Sequence, residues 1–415
     1  MQKISKTVLL TFLMIILGLS AATNSLNEST ETTVLDEISA PQEVILPLGS
    51  LNEPGHQEGS IFTDTTLSSG NRHTCVILDN GSVSCWGDGG YGQLGNGGTS
   101  YARTPTLTSS LGLGRTAVAI SSSPSSWGHA CAILDDGSVS CWGQNHLGQL
   151  GNGNIHNWDA PSDALTPTPT SSLGTGRTAV AISCGNSHTC AILDDGSVSC
   201  WGEGSRGRLG NGGTSDASTP TPTSSLGIGR TAVAISSGGE HTCVILDDGN
   251  VSCWGGGSHG RLGNGGASSA NTPTPTSSLG IGRTAVAISS GGTHTCAILD
   301  DGNVSCWGRG SSGRLGNGGT SDALTPTPTS SLGTNRTAVA ISSGGGHTCA
   351  ILDDGNVSCW GGGSQGRLGD GGTSDASTPT PTSSLGTGRN AVAISSGGTH
   401  TLSLIHISEP TRHRR

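Results

Sequence analysis

Aromatic residues are nearly missing from this chain of 415 residues, with two Phe, two Tyr and eight Trp, or 3% in all. A helical bundle or a doubly wound sheet draws its core from bulky side chains, so neither can be built here. Lysine stops at Lys3 and Lys6, and the formal charge is −10. No basic cluster exists to meet a phosphate backbone, so no nucleic-acid partner is expected. Long apolar runs are also missing after Leu19. Nothing beyond the leader could span a bilayer as a helix, which needs about 20 apolar residues.

Glycine is abundant, with 70 residues against 17 Pro. Together they stay below the roughly 25–30% that marks an aperiodic disordered chain. Residues 1–22 read as a secretory signal peptide: Lys3 and Lys6 precede the apolar run Val8 to Leu19, and Ser20-Ala21-Ala22 follows. Cleavage there leaves no membrane span and places the protein outside the cell or on its surface. Residues 23–60 carry seven acids (Glu28, Glu31, Asp36, Glu37, Glu43, Glu53, Glu58) and no Lys or Arg, the composition of a solvated linker.

From residue 61 the chain copies itself. His73, His129, His188, His241, His294, His347 and His400 are equivalent, spaced 56, 59, 53, 53, 53 and 53 residues apart. The unit is therefore 53 residues long, with two early insertions. Within one copy, Ala285 to Ser289, Thr295 to Leu299 and Asn303 to Trp307 read as strands, and Thr325 to Thr329 as a fourth. Prolines two apart lose N–H groups on one side, so that fourth strand belongs on a sheet edge. Four short strands per repeat is the pattern of a propeller blade. The fold class expected is all-β, a β-propeller of four-stranded blades with six full repeats plus a truncated seventh over residues 61–401.

His294-Thr-Cys-Ala-Ile-Leu-Asp-Asp-Gly-Asn-Val-Ser-Cys-Trp-Gly308, followed by Gly313-Arg314-Leu315-Gly316, resembles the repeat of the regulator of chromosome condensation family. The resemblance recurs in every unit and implies a seven-bladed propeller. It also brings the founding member's activity, guanine-nucleotide exchange on a small nuclear GTPase with chromatin binding, and the inhibition of secreted enzymes known among exported relatives. The signal peptide, the negative charge and the lack of a long wedge-like insertion speak against exchange. Residues 402–415 leave the pattern, and Leu402 to Arg412 resembles a translated sequencing adapter. That reading makes the tail non-native and the natural protein longer, with the ring open by most of one blade.

Twelve of the 13 cysteines form pairs ten residues apart: Cys75 and Cys85, Cys131 and Cys141, Cys190 and Cys200, Cys243 and Cys253, Cys296 and Cys306, Cys349 and Cys359. Each pair brackets a tight turn. Counting outward from a three-residue loop sets Leu299 opposite Asn303 and Cys296 opposite Cys306 at a non-hydrogen-bonded site. Six cross-strand disulfides follow, in keeping with export. The competing reading makes His294, Cys296 and Cys306 metal ligands; zinc cysteines usually stand two to four apart, so no metal is expected. Cys184 stands outside the pattern as a free or intermolecular thiol.

Several motifs imitate chemistry. Gly87-x-Gly89-x-x-Gly92 and its copies match a dinucleotide fingerprint, but no helix can start at the Arg-Leu-Gly-Asn-Gly-Gly that follows the later copies, so no cofactor is expected. Histidines and Asp-Asp-Gly turns that recur in every unit serve the scaffold before they serve one reaction, and no catalysis is expected. Asn80, Asn250, Asn303, Asn335 and Asn356 fit the glycosylation pattern, yet most sit in hairpins that favour Asn anyway.

Function is therefore sought where units differ. Naming the strands A to D, the A–B and C–D loops open on one rim and the B–C and D–A connections on the other. Both insertions fall on the first rim: Ser121 to Gly128, containing Trp127, and Asn154 to Leu165, containing His156 and Trp158. Trp127 and Trp158 are the tryptophans off the repeat template, and aromatic anchors are enriched at recognition hot spots. Tyr91, His146 and Arg206 lie on the same rim, as do Asp88, Gln144, Glu203, His259, Arg309 and Gln365. The expectation is a binding surface for a protein or glycan.

Overall fold

The computed structural model describes residues 66–155 and 163–407. Six four-stranded antiparallel sheets follow one another, each in the order A-B-C-D, and a two-stranded seventh comes last. Blade 5 shows why the repeat folds this way. Its strands are Ala285–Ser290, His294–Leu299, Val304–Gly308 and Ala323–Pro328. The B–C hairpin has the expected register, with Cys296 opposite Cys306 and Ile298 opposite Val304. Leu299 N–H bonds Asn303 O at 2.8 Å. Gly302 has φ +75° in that turn, a conformation most side chains avoid. Strand D pairs only with C, through Ser305 with Pro328 and Cys306 with Thr327. On this outer edge a missing proline N–H costs nothing.

All six expected disulfides are present, with Cα atoms 4.0 to 4.1 Å apart. Their sulfurs lie in the seams between blades, where the cores are. One such core joins Ile245, Val251 and Leu262 of blade 4 to Ala285, Ile288 and Trp307 of blade 5. The ring of Trp307 packs against Gly263, where a Cβ would come within 2.8 Å of Nε1. Trp142, Trp201, Trp254, Trp307 and Trp360 are fully buried in this way. Their counterpart Trp86, beside the two-stranded sheet, is only half-buried.

Blades are joined at several radii. Innermost, a strand A backbone N–H donates to a Ser Oγ of the preceding blade: Ser122 to Ser68, Cys184 to Ser121, Ser237 to Ser183, Ser290 to Ser236, Ser343 to Ser289 and Ser396 to Ser342. Ser69 N–H to Ser395 Oγ, 2.8 Å, closes the circle. Among the described residues, the seventh blade has its two inner strands. That sheet pairs Arg389–Ser396 with Thr401–Ile407, so residues 402–407 supply a second strand where one alone was foreseen.

Outside the serines runs a ring of His Nε2 to Thr Oγ1 contacts. His129 reaches Thr189, His188 Thr242, His241 Thr295, His294 Thr348 and His347 Thr401, at 2.7 to 2.9 Å. His400 reaches Thr74 at 3.3 Å. Thr189 Oγ1 donates its proton to Gln149 O, so it accepts from His129 and sets that imidazole as the Nε2–H tautomer. Thr295, Thr348 and Thr401 donate to carbonyls likewise. One seam departs from the rule: blade 2 has Ala130 where the others have Thr, and the buried Nε2 of His73 has no partner among the described residues. Ala130→Thr should restore the bond and raise stability by about 1 kcal/mol. A urea midpoint that falls instead of rising would contradict this.

Candidate functional site

One A–B loop and one C–D loop come together between blades 1 and 2. The C–D loop of blade 1 brings Tyr91 to within 6.4 Å of Trp127 in the A–B loop of blade 2, ring centroid to centroid, with planes tilted by 45°. Trp127 is 47% exposed, unlike the repeat tryptophans. Its loop is built from short hydroxyl side chains: Ser125 N–H bonds Ser123 Oγ, Trp127 N–H bonds Ser125 Oγ, and Asn71 Nδ2 of blade 1 donates to Ser126 Oγ at 2.9 Å. These bonds hold a three-residue insertion without a core of its own. Beneath lies Gln93, fully buried, its Oε1 accepting from Tyr91 N–H at 2.7 Å. Its Nε2 has no partner among the described residues.

The other rim residues are spread around the ring. Arg206 of blade 3 has φ +60° and pairs with Glu240 of blade 4 at 3.0 Å. His146 of blade 2 is half-buried against Gln149, and burial lowers its pKa. The position equivalent to Tyr91 in that blade is Leu147, one residue further on. His156 and Trp158 lie outside the described residues. Tyr91 and Trp127 thus form a pair, while His146 and Arg206 lie in the C–D loops of blades 2 and 3.

Sequence reasoning missed a second set. The Arg of Gly-Arg-Leu-Gly drew no functional reading, yet Arg208 and Arg261 sit buried under rim carboxylates, paired with Glu203 at 2.8 Å and Glu240 at 3.3 Å. Burial pulls both guanidinium groups below their usual range, and the carboxylates oppose that shift. The signal was the residue just before each repeat His, which changes from Ser187 to Glu240, Thr293 and Gly346 while its surroundings do not.

The motifs that imitate catalysis are spent on structure. The Gly-x-Gly-x-x-Gly segments of blades 3 to 6 enter single 3-10 turns of three residues, such as Ser205–Gly207, so no helix N-terminus faces a phosphate. The Asp-Asp turns pair with an arginine of the same blade, as Arg283 does with Asp300 and Asp301 at 3.2 Å. Cys296 and Cys306 are consumed by their disulfide and His294 Nε2 by Thr348. Cys184 is buried with its Sγ 3.3 Å from Ser121 O, and burial pushes the thiol up to about 12. A thiol so placed cannot reach a second molecule. No helix among the described residues is long and apolar enough to cross a membrane.

A family model described as the RCC1-like domain matches residues 62–403. The ultraviolet-B receptor UVR8 of Arabidopsis thaliana is 32% identical over 339 residues, covering 81% of this chain and 74% of the receptor. Human E3 ubiquitin-protein ligase HERC2 is also 32% identical over 81% of this chain, which spans only 7% of that ligase. Among solved structures, human WBSCR16 has a TM-score of 0.72 at 20% identity, over 84% of this chain and 88% of that one. Prp20p of Saccharomyces cerevisiae scores 0.71 at 20% identity, over 83% and 82%. At such identity the structures speak for the fold alone.

Proposed function

This chain belongs to the RCC1-like domain family, and on that premise we propose that it is an exported interaction module that recognises a protein or glycan through the rim of A–B and C–D loops, without catalysis. The observation that carries the reading is the exposed Trp127 beside Tyr91, two aromatics that the repeat does not require, on the rim where side chains change from blade to blade. Repeated scaffolds that present different residues at one edge are suited to recognition. Six disulfides suit an oxidising compartment, and the leader peptide supplies the route. The repeat histidines, held neutral by burial, support a scaffold role over acid–base work.

The test compares immobilised parent domain with Tyr91→Ala, Trp127→Ala and Trp158→Ala on a glycan array and against exported and surface proteins. A partner of the parent should bind more weakly by about 2 kcal/mol or more per anchor. Asp300→Ala and Asp301→Ala, on the opposite rim, should leave binding unchanged. A partner held equally by parent and aromatic variants would reject the face, and capture of a nuclear GTPase would favour exchange.

A further inference from the structure

The rim contains an occupied copy of a site that recurs, unneutralised, two blades on. In blade 4 the carboxylate of Glu240 sits between guanidinium groups, 3.0 Å from Arg206 and 3.3 Å from Arg261. Glu203 pairs with Arg208 alone. Blades 5 and 6 keep the inner arginine as Arg314 and Arg367, have Ser312 and Gln365 at the Arg206 position, and lose both acids. The Glu240 position becomes Thr293 and Gly346, and the Glu203 position becomes Arg309 and Gly362.

Arg314 is left with neutral partners: Ser311 O at 2.9 Å, Ser311 Oγ at 3.1 Å, Thr293 Oγ1 at 2.9 Å and Gly345 O at 3.4 Å. Arg367 bonds Ser364 O, Ser364 Oγ and Gly398 O. Neither makes an ion pair among the described residues. Asp322 and Asp375 act on Arg314 through space without pairing with it, and both are hydrogen-bonded elsewhere: Asp322 with Gly310 N–H and His259, Asp375 with Gly363 N–H. Arg314 and Arg367 are also more open to solvent than the fully covered Arg208 and Arg261. A half-buried cation with only neutral partners gains most from a carboxylate brought to it.

We propose that Arg314 and Arg367, with Arg309 beside them, bind a glutamate or aspartate side chain of an acidic partner segment, in the place that Glu240 fills within blade 4. This rests on the rim being the recognition face, and it assigns blades 5 and 6 an acidic peptide as ligand. Salt should weaken the contact, since the arginines lie at the protein surface.

Gly346 makes the proposal testable, because filling the site from within is sterically open. A Cβ there would stand 3.5 Å from Arg314 Nη2, ordinary contact, and its φ is not left-handed. The probe is a hexaglutamate peptide, titrated by calorimetry into the full chain, with inorganic phosphate and a sulfated oligosaccharide as competing anions. Hexaglutamate should bind the parent, at least tenfold more weakly to Gly346→Glu, and comparably weakly to Arg367→Gln, with all variants unfolding cooperatively. No binding to the parent, equal binding to Gly346→Glu, or tighter binding of phosphate or the sulfated sugar would overturn the assignment. The Tyr91 and Trp127 variants address the rim independently, so loss of hexaglutamate binding alone leaves the rim reading standing.

Discussion

Acidification from pH 7 to pH 5 should unfold the propeller. Six inter-blade histidines are buried and held neutral: burial lowers His73 to about 4, His129, His241 and His347 to about 3, and His188 and His294 well below the ordinary 6.5. The cause is legible in the bonds. In His129, His241, His294 and His347 Nε2–H already donates to a threonine, Nε2 of His73 has no partner, and Nδ1 of His129, His188, His241, His294 and His347 faces none among the described residues, so an added proton would be a buried charge with nothing to accept from it. In the unfolded chain each imidazole takes up its proton near pH 6.5. The unfolded state therefore binds more protons below that pH, and stability present above 6.5 is lost as pH falls toward the folded values. The loss is about 2 kcal/mol per histidine at pH 5, and on the order of 10 kcal/mol for the six, comparable with the roughly 5–15 kcal/mol that holds a domain together. Urea midpoints should drop steeply between pH 6.5 and 5, and a His241→Gln variant should show a shallower slope by about 1.4 kcal/mol per pH unit. A midpoint independent of pH over that range would refute the account.

Loss of the six disulfides is the second large effect. Every bridge closes a short loop, for which the chain-entropy model gives roughly 2–3 kcal/mol at best, yet six act on one cooperative ring. All twelve sulfurs lie in seams where the cysteines are 0 to 1% exposed. Reductant alone should therefore leave the folded domain unlabelled by a thiol reagent. In urea with reductant, all twelve should be alkylated, and the reduced chain should refold at much lower denaturant concentration than the oxidised one. Free thiols appearing under native conditions without unfolding, or a reduced domain as stable as the oxidised, would contradict the packing described.

Much of this architecture is legible before any coordinates. A period of 53 residues with three β-type runs and a proline-broken fourth fixes the blade, because pairing rules leave few other ways to arrange them. The Asp-Asp-Gly turn counts out the cysteine register to the residue, as Cys296 opposite Cys306 shows. The contacts between blades are not legible in the same way. Nothing local says that a Ser N–H of one strand meets the Ser Oγ 54 residues before it, since that depends on how tightly blades stack. Residues that recur were set aside as scaffold, which was sound for His294 but hid Arg314, whose meaning lies in what changes beside it. Loop parity places Tyr91 and Trp127 on one rim, but their 6.4 Å approach depends on a seam geometry that only the folded ring possesses.

The serine ladder and the His–Thr ring together make each blade's leading face fit almost any other blade's trailing face. During folding this interchangeability is a hazard of miscounting: a ring that skips a blade, or accepts one from a second chain, would form nearly the same bonds at each junction. The Ala130 seam is the one junction that differs, because the face of blade 2 offers an incoming histidine no hydroxyl. Only one histidine must meet it. In the native order that is His73, and every miscounted ring that retains blade 2 must also place some histidine there, so the mismatch does not penalise errors selectively. Correct counting then falls to the short connections between one blade's outer strand and the next blade's inner strand, which leave successive blades little freedom to pass over a neighbour.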